Sequence, residues 1–565
     1  MRMSRRVRLF SLTAVAGLGV PLLVSVGAGS SPAVGATHRS FHMARDRQFA
    51  HNMEKRRETK GYLKARARYF DARRLSGNHP VSVEQAARLR AHAANQRTAL
   101  PSAPAARRPG RPALASDGNP WQALPEKTTL QPGRTSGGLQ TVSGRISALA
   151  VAKNGRIFAG AAQGGVWRYV PSTGEWTALT DDLSTLAVGA IAIAPSDQKV
   201  IYLGTGEGDL SGDSYFGDGV YRSDDGGDTW THVNGGSIFT GTSISKMVVD
   251  PTNPRRVYVA TIRGKAGSFR VSSPFQHTWG VYRSLDGGRH WTALKTTNQF
   301  ERGAADLTLD PNNPRTVYST FVGKGIFRTT SASHQQHWTR IMDGLPKNAD
   351  YTEGPTRFAI SASKLPKHQT RLYAGFDWYD TDGGYHESRV FRSDNGGNHW
   401  KQLPTTGPLP QVDSVKNYCD IQCTYDNVVL TDPQHPRVVY VAGEYNYPLG
   451  SGGIYRSTNG GRTWKNLGFD LHPDFHAIAV EPDSTSHVVI GNDGGVWDSF
   501  RRGGRLAPGT GLDKAQWRNL NDGLMITQID SVDYSNNFFV PVLYAGTQDN
   551  GTQIGPIPGG LIEDP

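Results

Sequence analysis

From about residue 121 the chain is built of short runs in which apolar and polar residues alternate, separated by turns rich in Gly, Pro, Asp and Asn. Period-two alternation places one set of side chains on each face of a strand, and turns this frequent predict short antiparallel strands. One module is clear at 243–295: the run SISKMVVD, the turn PTNP, the run RRVYVAT, a variable loop, GVYRS, the turn LDGGRH and the closing run WTAL. Its turn-plus-strand core recurs at Asp250-Pro251 with Val257-Tyr258, Asp310-Pro311 with Val317-Tyr318, and Asp432-Pro433 with Val439-Tyr440. Looser copies stand at Ala194-Pro195 and Glu481-Pro482. Four short antiparallel strands per repeat describe a propeller blade, so the predicted fold is an all-β propeller.

Blades are expected near 143–180, 187–235, 243–295, 303–345, 355–405, 415–468 and 472–520. Residues 526–555 offer three more strands, and Asn119–Leu124, around Trp121, reads as a lone closing strand. Together the two fragments would complete an eighth blade. The alternatives are a seven-bladed ring with an additional C-terminal piece, or the front part of a larger propeller.

The turn between the third and fourth strands carries S-x-D-x-G-x-x-W. It stands at Ser223, Asp225, Gly227, Trp230 and at Ser284, Asp286, Gly288, Trp291. Asparagine replaces the acid at Ser393, Asn395, Gly397, Trp400 and at Ser457, Asn459, Gly461, Trp464. A short Asp or Asn side chain bonds nearby amides and closes the turn, glycine accepts a positive φ, and the tryptophan buries a large ring. A residue repeated from blade to blade cannot define one unique site, so these corners are read as structural.

Alternation also sorts the loops. The DPxNP and SxDxGxxW corners fall on one face of the ring, and the irregular loops between second and third strands fall on the other, with the starts of the innermost strands. Variable loops on a rigid scaffold are where binding resides. That face is predicted to hold Glu207, Asp209, Tyr215, Trp279, Asp377, Trp378, Tyr379, Tyr385, Glu444 and Tyr445, a mixture of acids and aromatic rings suited to sugars. A second group, Asp426, Asp474, His476, Asp493 and Asp549, is predicted to converge on the central mouth. Asp474 and His476 could bind a structural cation or form an acid/base pair, or inner-strand polar groups could simply tie blades together. No cofactor is required by this pattern.

The four corners, registered with flanking YRS or FRS and a WTxL-type exit, resemble the Asp-box (BNR) repeats of sialidases, xyloglucanase-type glycoside hydrolases and sortilin-type receptors. The phrases GRISALAV, GTGEG, YDNVVLTDP, DFHAIAVEPD, GNDGGVW and GTQDNGT resemble a group of secreted bacterial propellers, over roughly 121–555. The resemblance implies a glycan-binding propeller, with two alternatives: a xyloglucanase-like glycoside hydrolase drawing two carboxylates from Glu207, Asp209, Asp377, Glu444, Asp474 and Asp493, or a sortilin-like peptide or protein binder. Sialidases introduce their arginine triad with Arg-Ile-Pro; here Gly144-Arg145-Ile146-Ser147 lacks the proline. Xyloglucanase-type enzymes carry a catalytic aspartate in a TDVGG-like segment; here Ala162-Gln163-Gly164-Gly165 has glutamine, which is no general base.

Charge and termini change this picture in one respect. Residues 1–36 read as a signal peptide: a basic start at Arg2, Arg5, Arg6 and Arg8, an apolar run, and small residues to Ala36. Residues 37–115 read as a basic, partly helical leader and linker, with 18 Lys and Arg against 5 Asp and Glu. The formal net charge of +13 therefore belongs to the leader, and residues 116–565, the propeller, are net acidic. That excludes a nucleic-acid-binding role for the folded part. No run after the signal approaches the length of a membrane span. The expected location is extracellular, as a monomer, with a glycan or peptide ligand. The two cysteines, Cys419 and Cys423, suit a local disulfide in an exported protein.

Overall fold

A computed structural model describes the chain between residues 129 and 556 apart from short stretches, the longest being 266–277. The signal peptide, the leader and the expected strand around Trp121 lie outside the described residues.

Seven antiparallel blades of four strands follow one another along the chain, the fifth carrying one further short strand, Ala349–Asp350, on its second. The first runs Ile146–Val151, Ile157–Ala161, Gly165–Val170 and Glu175–Ala178; the seventh runs Phe475–Glu481, Ser484–Asn492, Gly495–Ser499 and Arg518–Asn519. The innermost strands of blades two to six are Val188–Ala194, Thr242–Asp250, Ala304–Asp310, Ala359–Lys364 and Val428–Thr431. Each innermost strand packs on the next, and that of blade seven packs on that of blade one. The ring therefore has seven blades, the alternative count and not the eight expected from the terminal fragments. Ile529–Ser535, Val542–Thr547 and Thr552–Pro556 form a separate three-stranded sheet. Blade one is already covered by blade seven, so no gap in the ring remains for that sheet to fill.

Two repeated contacts explain why these residues close a ring. The first is glycine in the second strand. A Cβ on Gly160 would stand 2.4 Å from Val188 Cγ1 of blade two, and one on Gly491 of blade seven would stand 2.5 Å from Ile146 Cγ2 of blade one. The same close approach operates inside the chain and across the closure. The second is a tryptophan at the start of each outer strand. Trp291, Trp400 and Trp464 donate their indole N–H to the carbonyls of Val233, Ile341 and Pro404 in the preceding blade, at 2.8, 2.8 and 2.9 Å. Trp338 and Trp517, which lack the full corner motif, do the same to Leu294 and Leu467. Trp176 of blade one reaches back to Leu520 of blade seven at 2.6 Å. Trp230 packs on Leu179 without such a bond.

The S-x-D-x-G-x-x-W corners are bonded as their residues predict. Ser223 Oγ accepts from Gly227 N at 2.8 Å and donates to Asp225 Oδ1 at 2.7 Å, and Asp225 Oδ1 accepts from Thr229 N at 2.9 Å. The same set recurs from Ser284, Ser393 and Ser457. Hydrogen bonds from Thr229 hold the Asp225 carboxyl far below the usual range. An arginine of the third strand adds a tie to the next blade: Arg328 of Phe327-Arg328-Thr329 to the Gly396 carbonyl at 2.8 Å and Arg392 of Phe391-Arg392-Ser393 to that of Gly460 at 2.6 Å. The Ser and Asp or Asn groups thus close each turn, and the arginines tie one blade to the next.

Candidate functional site

The opposite face of the ring is organised by one loop. Between the second and third strands of blade two, Glu207–Tyr215 crosses the central mouth, closed on itself by Glu207 N–H to the Tyr215 carbonyl at 3.0 Å. Gln163 of blade one donates to the Asp213 carbonyl at 2.8 Å and so tethers this loop. The loop's carboxylates then meet cations from distant blades. Arg145, just ahead of the first innermost strand, places Nε 2.9 Å from Glu207 Oε1 and donates Nη2 to Asp213. Arg357, just ahead of that of blade five, lies 3.2 Å from Asp209 Oδ1. All of these groups except Arg357 are buried, and Arg357 is nearly so.

The network continues through Tyr425. Its hydroxyl accepts from Arg145 Nη1 at 2.6 Å and donates to Asp493 Oδ2 at 2.6 Å, while its carbonyl accepts from Arg357 Nη1 at 2.8 Å. Asp493 Oδ1 lies 2.7 Å from His476 Nε2, and His476 Nδ1 lies 3.5 Å from Asp209 Oδ2. The path from Arg145 through Tyr425, Asp493, His476, Asp209 and Arg357 returns to Tyr425. It joins blades one, two, five, six and seven.

Local backbone irregularity aims these groups. The innermost strand of blade seven has a bulge between Phe475 and Ala477, which sets His476 out of the ladder. Ser147 and Ser245 occupy the matching bulges of blades one and three, where their hydroxyls bond the carbonyls of Val188 and Ala304 in the next blade. Asp474 sits at φ 62°, a left-handed conformation that is unusual for a residue with a side chain. It remains half-buried, in contrast to His476 two residues on.

Burial without enough countercharge sets the protonation. Desolvation pushes Glu207 up to about 8, against the pull of Arg145. It drives Asp493 well above the carboxylate range, Arg145 opposing and Asp549 reinforcing. Asp426 is also driven well above, by burial first and then by Asp474, Glu444 and Asp493. Neither oxygen of Asp426 meets a hydrogen-bond donor from another residue, and its side chain is wholly buried. Burial lowers His476, so its imidazole is neutral at pH 7. Arg145 is held charged by Asp213 and Glu207 despite the cost of desolvation.

The sequence-based candidates thus divide. Glu207, Asp209, Asp426, Asp474, His476 and Asp493 come together at the mouth, with Glu444 and Asp549 beside them. Asp377 lies elsewhere, at a bulge in the long hairpin of blade five beside Tyr385 and Asp420, where desolvation raises it to about 7. The aromatic platform is corrected. Trp279 is 1% exposed and Trp378 8% exposed, the latter stacked on His386 at 5.1 Å, so their faces are occupied by the protein. Tyr215, Tyr379 and Tyr385 are half-buried, and the Tyr445 side chain lies outside the described residues. Among the described residues no group of three His, Cys, Asp or Glu side chains is placed to hold a metal ion. Cys419 and Cys423 are joined in a disulfide. Among the described residues no helix is long and apolar enough to cross a membrane. Of the residues that assemble the mouth, Tyr425 stands in the segment Tyr425-Asp426-Asn427 that the sequence places there, whereas Arg145 and Arg357 are not among the candidates. Their one sequence signal is position, immediately ahead of an innermost strand.

No family model matches the chain. It is 26% identical to a xyloglucanase of a Paenibacillus species over 390 residues, covering 64% of this chain and 35% of that protein. It is 26% identical to xyloglucanase Xgh74A of Acetivibrio thermocellus over 359 residues, covering 55% of this chain and 36% of that one. The xyloglucanase of Hypocrea jecorina is 25% identical, with 59% and 38% covered. None of these is a sialidase or a sortilin-type receptor. Among solved structures, the GH74 xyloglucanase of Xanthomonas campestris aligns with a TM-score of 0.49 and 18% identity, over 72% of this chain and 58% of that one. The chain spans little more than a third of the length of the curated relatives named here. It is an all-β, seven-bladed propeller with xyloglucanases among its sequence relatives.

Proposed function

We propose that this propeller is a glycoside hydrolase acting on a polysaccharide of the xyloglucan type, rather than a simple glycan binder. The observation that carries it is the Asp426 carboxyl. It is buried and has no donor from another residue on either oxygen, and burial, with the half-buried Asp474 carboxylate next, favours its protonated form. Glycosidases pair one carboxylic acid, held neutral by its surroundings, with one carboxylate. In this reading Asp426 gives its proton to the leaving glycosidic oxygen, and Asp474 is the partner carboxylate through which the site opens to solvent. The xyloglucanase relatives support the substrate class.

The test is release of reducing ends from xyloglucan, with mixed-linkage glucan and cellulose as comparisons, by the full chain and by Asp426→Asn and Asp474→Asn. Loss of a general acid lowers kcat by about 10²–10⁴-fold. Turnover on none of these polysaccharides, or full turnover by Asp426→Asn, would overturn the assignment.

A further inference from the structure

We infer that Tyr425 is a positioning residue for the Asp426 carboxyl: its hydroxyl, clamped between Arg145 and Asp493, fixes both the segment from which Asp426 projects and the charge that Asp426 faces. The inference rests on the hydrolase reading above and assigns a role within it.

Asp426 cannot set its own position. Its side chain makes no bond to another residue, and its backbone N–H bonds only the nearby Gln422 carbonyl, at 2.9 Å. Tyr425, its chain neighbour, is anchored from three other blades. The hydroxyl meets Arg145 of blade one and Asp493 of blade seven, and the carbonyl meets Arg357 of blade five. The ring stands edge-on to His476, with centroids 4.6 Å apart. A phenol can accept from a guanidinium and donate to a carboxylate at once, and phenylalanine can do neither. Burial keeps this phenol neutral, its ionisation driven well above the ordinary range.

The charge environment follows from the same hydroxyl. Asp426 faces Asp474, Glu444 and Asp493; Asp493 faces Arg145, Asp549, Tyr425 and His476; Tyr425 also faces Asp213. The bond from Tyr425 favours the ionised form of Asp493. Without it Asp493 holds its proton to higher pH and places less negative charge beside Asp426. Asp426 then releases its own proton at lower pH.

The experiment compares Tyr425→Phe, Asp493→Asn and the double variant in the full chain, with two readouts. One is the pH profile of hydrolysis. The other is the infrared band of protonated carboxyl groups, with Asp426→Asn identifying the Asp426 contribution. For Tyr425→Phe the expected results are kcat lowered ~10-fold or more, KM within ~2-fold, and an alkaline limb displaced to lower pH. The Asp426 band should disappear at correspondingly lower pH, and the double variant should add nothing to Asp493→Asn. If Tyr425→Phe lowers only the melting temperature, with limb and band unmoved, Tyr425 is a structural prop and the inference is overturned. If the band moves but the parent chain cleaves no glycan, the hydrolase reading fails while the positioning role stands. If Asp426→Asn abolishes turnover and the band is unmoved in Tyr425→Phe, the reading stands and the positioning role fails.

Discussion

Ring closure rests on a measurable contact. Trp176 belongs to blade one, is 7% exposed, and bonds the Leu520 carbonyl of blade seven at 2.6 Å. Its ring packs in a cluster that takes in Val489, Val496, Leu520 and Leu524 of blade seven with Ile146 and Ile157 of blade one. Truncation to alanine removes most of a buried indole and leaves a cavity, a change that costs about 3–5 kcal/mol in a core that cannot collapse. The lost hydrogen bond adds about 1 kcal/mol. Trp400→Ala, made at a junction inside the chain where the ring is 1% exposed, is the internal calibration. Seven-bladed closure predicts that the two variants lose similar stability in equilibrium urea unfolding, and that Trp176→Phe loses only the smaller, hydrogen-bond part. A loss under about 1 kcal/mol for Trp176→Ala, beside a loss of 3–5 for Trp400→Ala, would mean that blade seven does not cover blade one, and the ring count would fall with it.

Two further outcomes concern pH. Asp377 has a folded-state value of about 7, above the ~3.9 of an unfolded aspartate, so folding favours its protonated form. That contribution is complete below pH ~4 and is lost as pH rises through about 7; Asp377→Asn should flatten the decline in melting temperature across this window, and an unchanged slope would refute it. Asp286 has the opposite sign, held at about 2 mainly by hydrogen bonds from His290 and Ser284 that outweigh desolvation. Its contribution is present above pH ~3.9 and lost as pH falls through about 2, so Asp286→Asn and the parent chain should differ at neutral pH and converge in acid. Polysaccharide turnover by Asp426→Asn and the Tyr425→Phe titration, described above, complete the set.

The corners and the face they occupy were legible because their information is local. Ser223, Asp225 and Gly227 bond one another within five residues, so the motif and its structure are nearly the same statement. The blade number was legible too, but from a different signal. Trp176, Trp338 and Trp517 begin outer strands without a full corner motif ahead of them, and with the four corner tryptophans they mark seven blades. Counting leftover strands produced eight because three strands at 529–556 look like an incomplete blade. Nothing local says that Gly491 already packs on Ile146. The mouth was legible as a set of acids and hidden as a network. Arg145 and Tyr425 are 280 positions apart, and Arg357 and Asp209 are 148 apart. An arginine ahead of a strand has the composition of any surface arginine until the ring brings its partner. The aromatic rings misled for a related reason: at the end of a blade hairpin a large apolar face is covered by its own neighbours, as Trp378 is by Phe376, Phe391 and His386.

The bond from Trp176 to Leu520 spans 344 positions of sequence. During synthesis the face of blade one that will meet Leu520 has to wait until nearly all of the ring has been made. Contacts of such separation carry a large loop-closure entropy and form late, so the nascent chain passes through a period with an open, apolar seam. Self-association of unfinished chains through that seam, rather than failure of any single blade, is the hazard this architecture carries during its biogenesis.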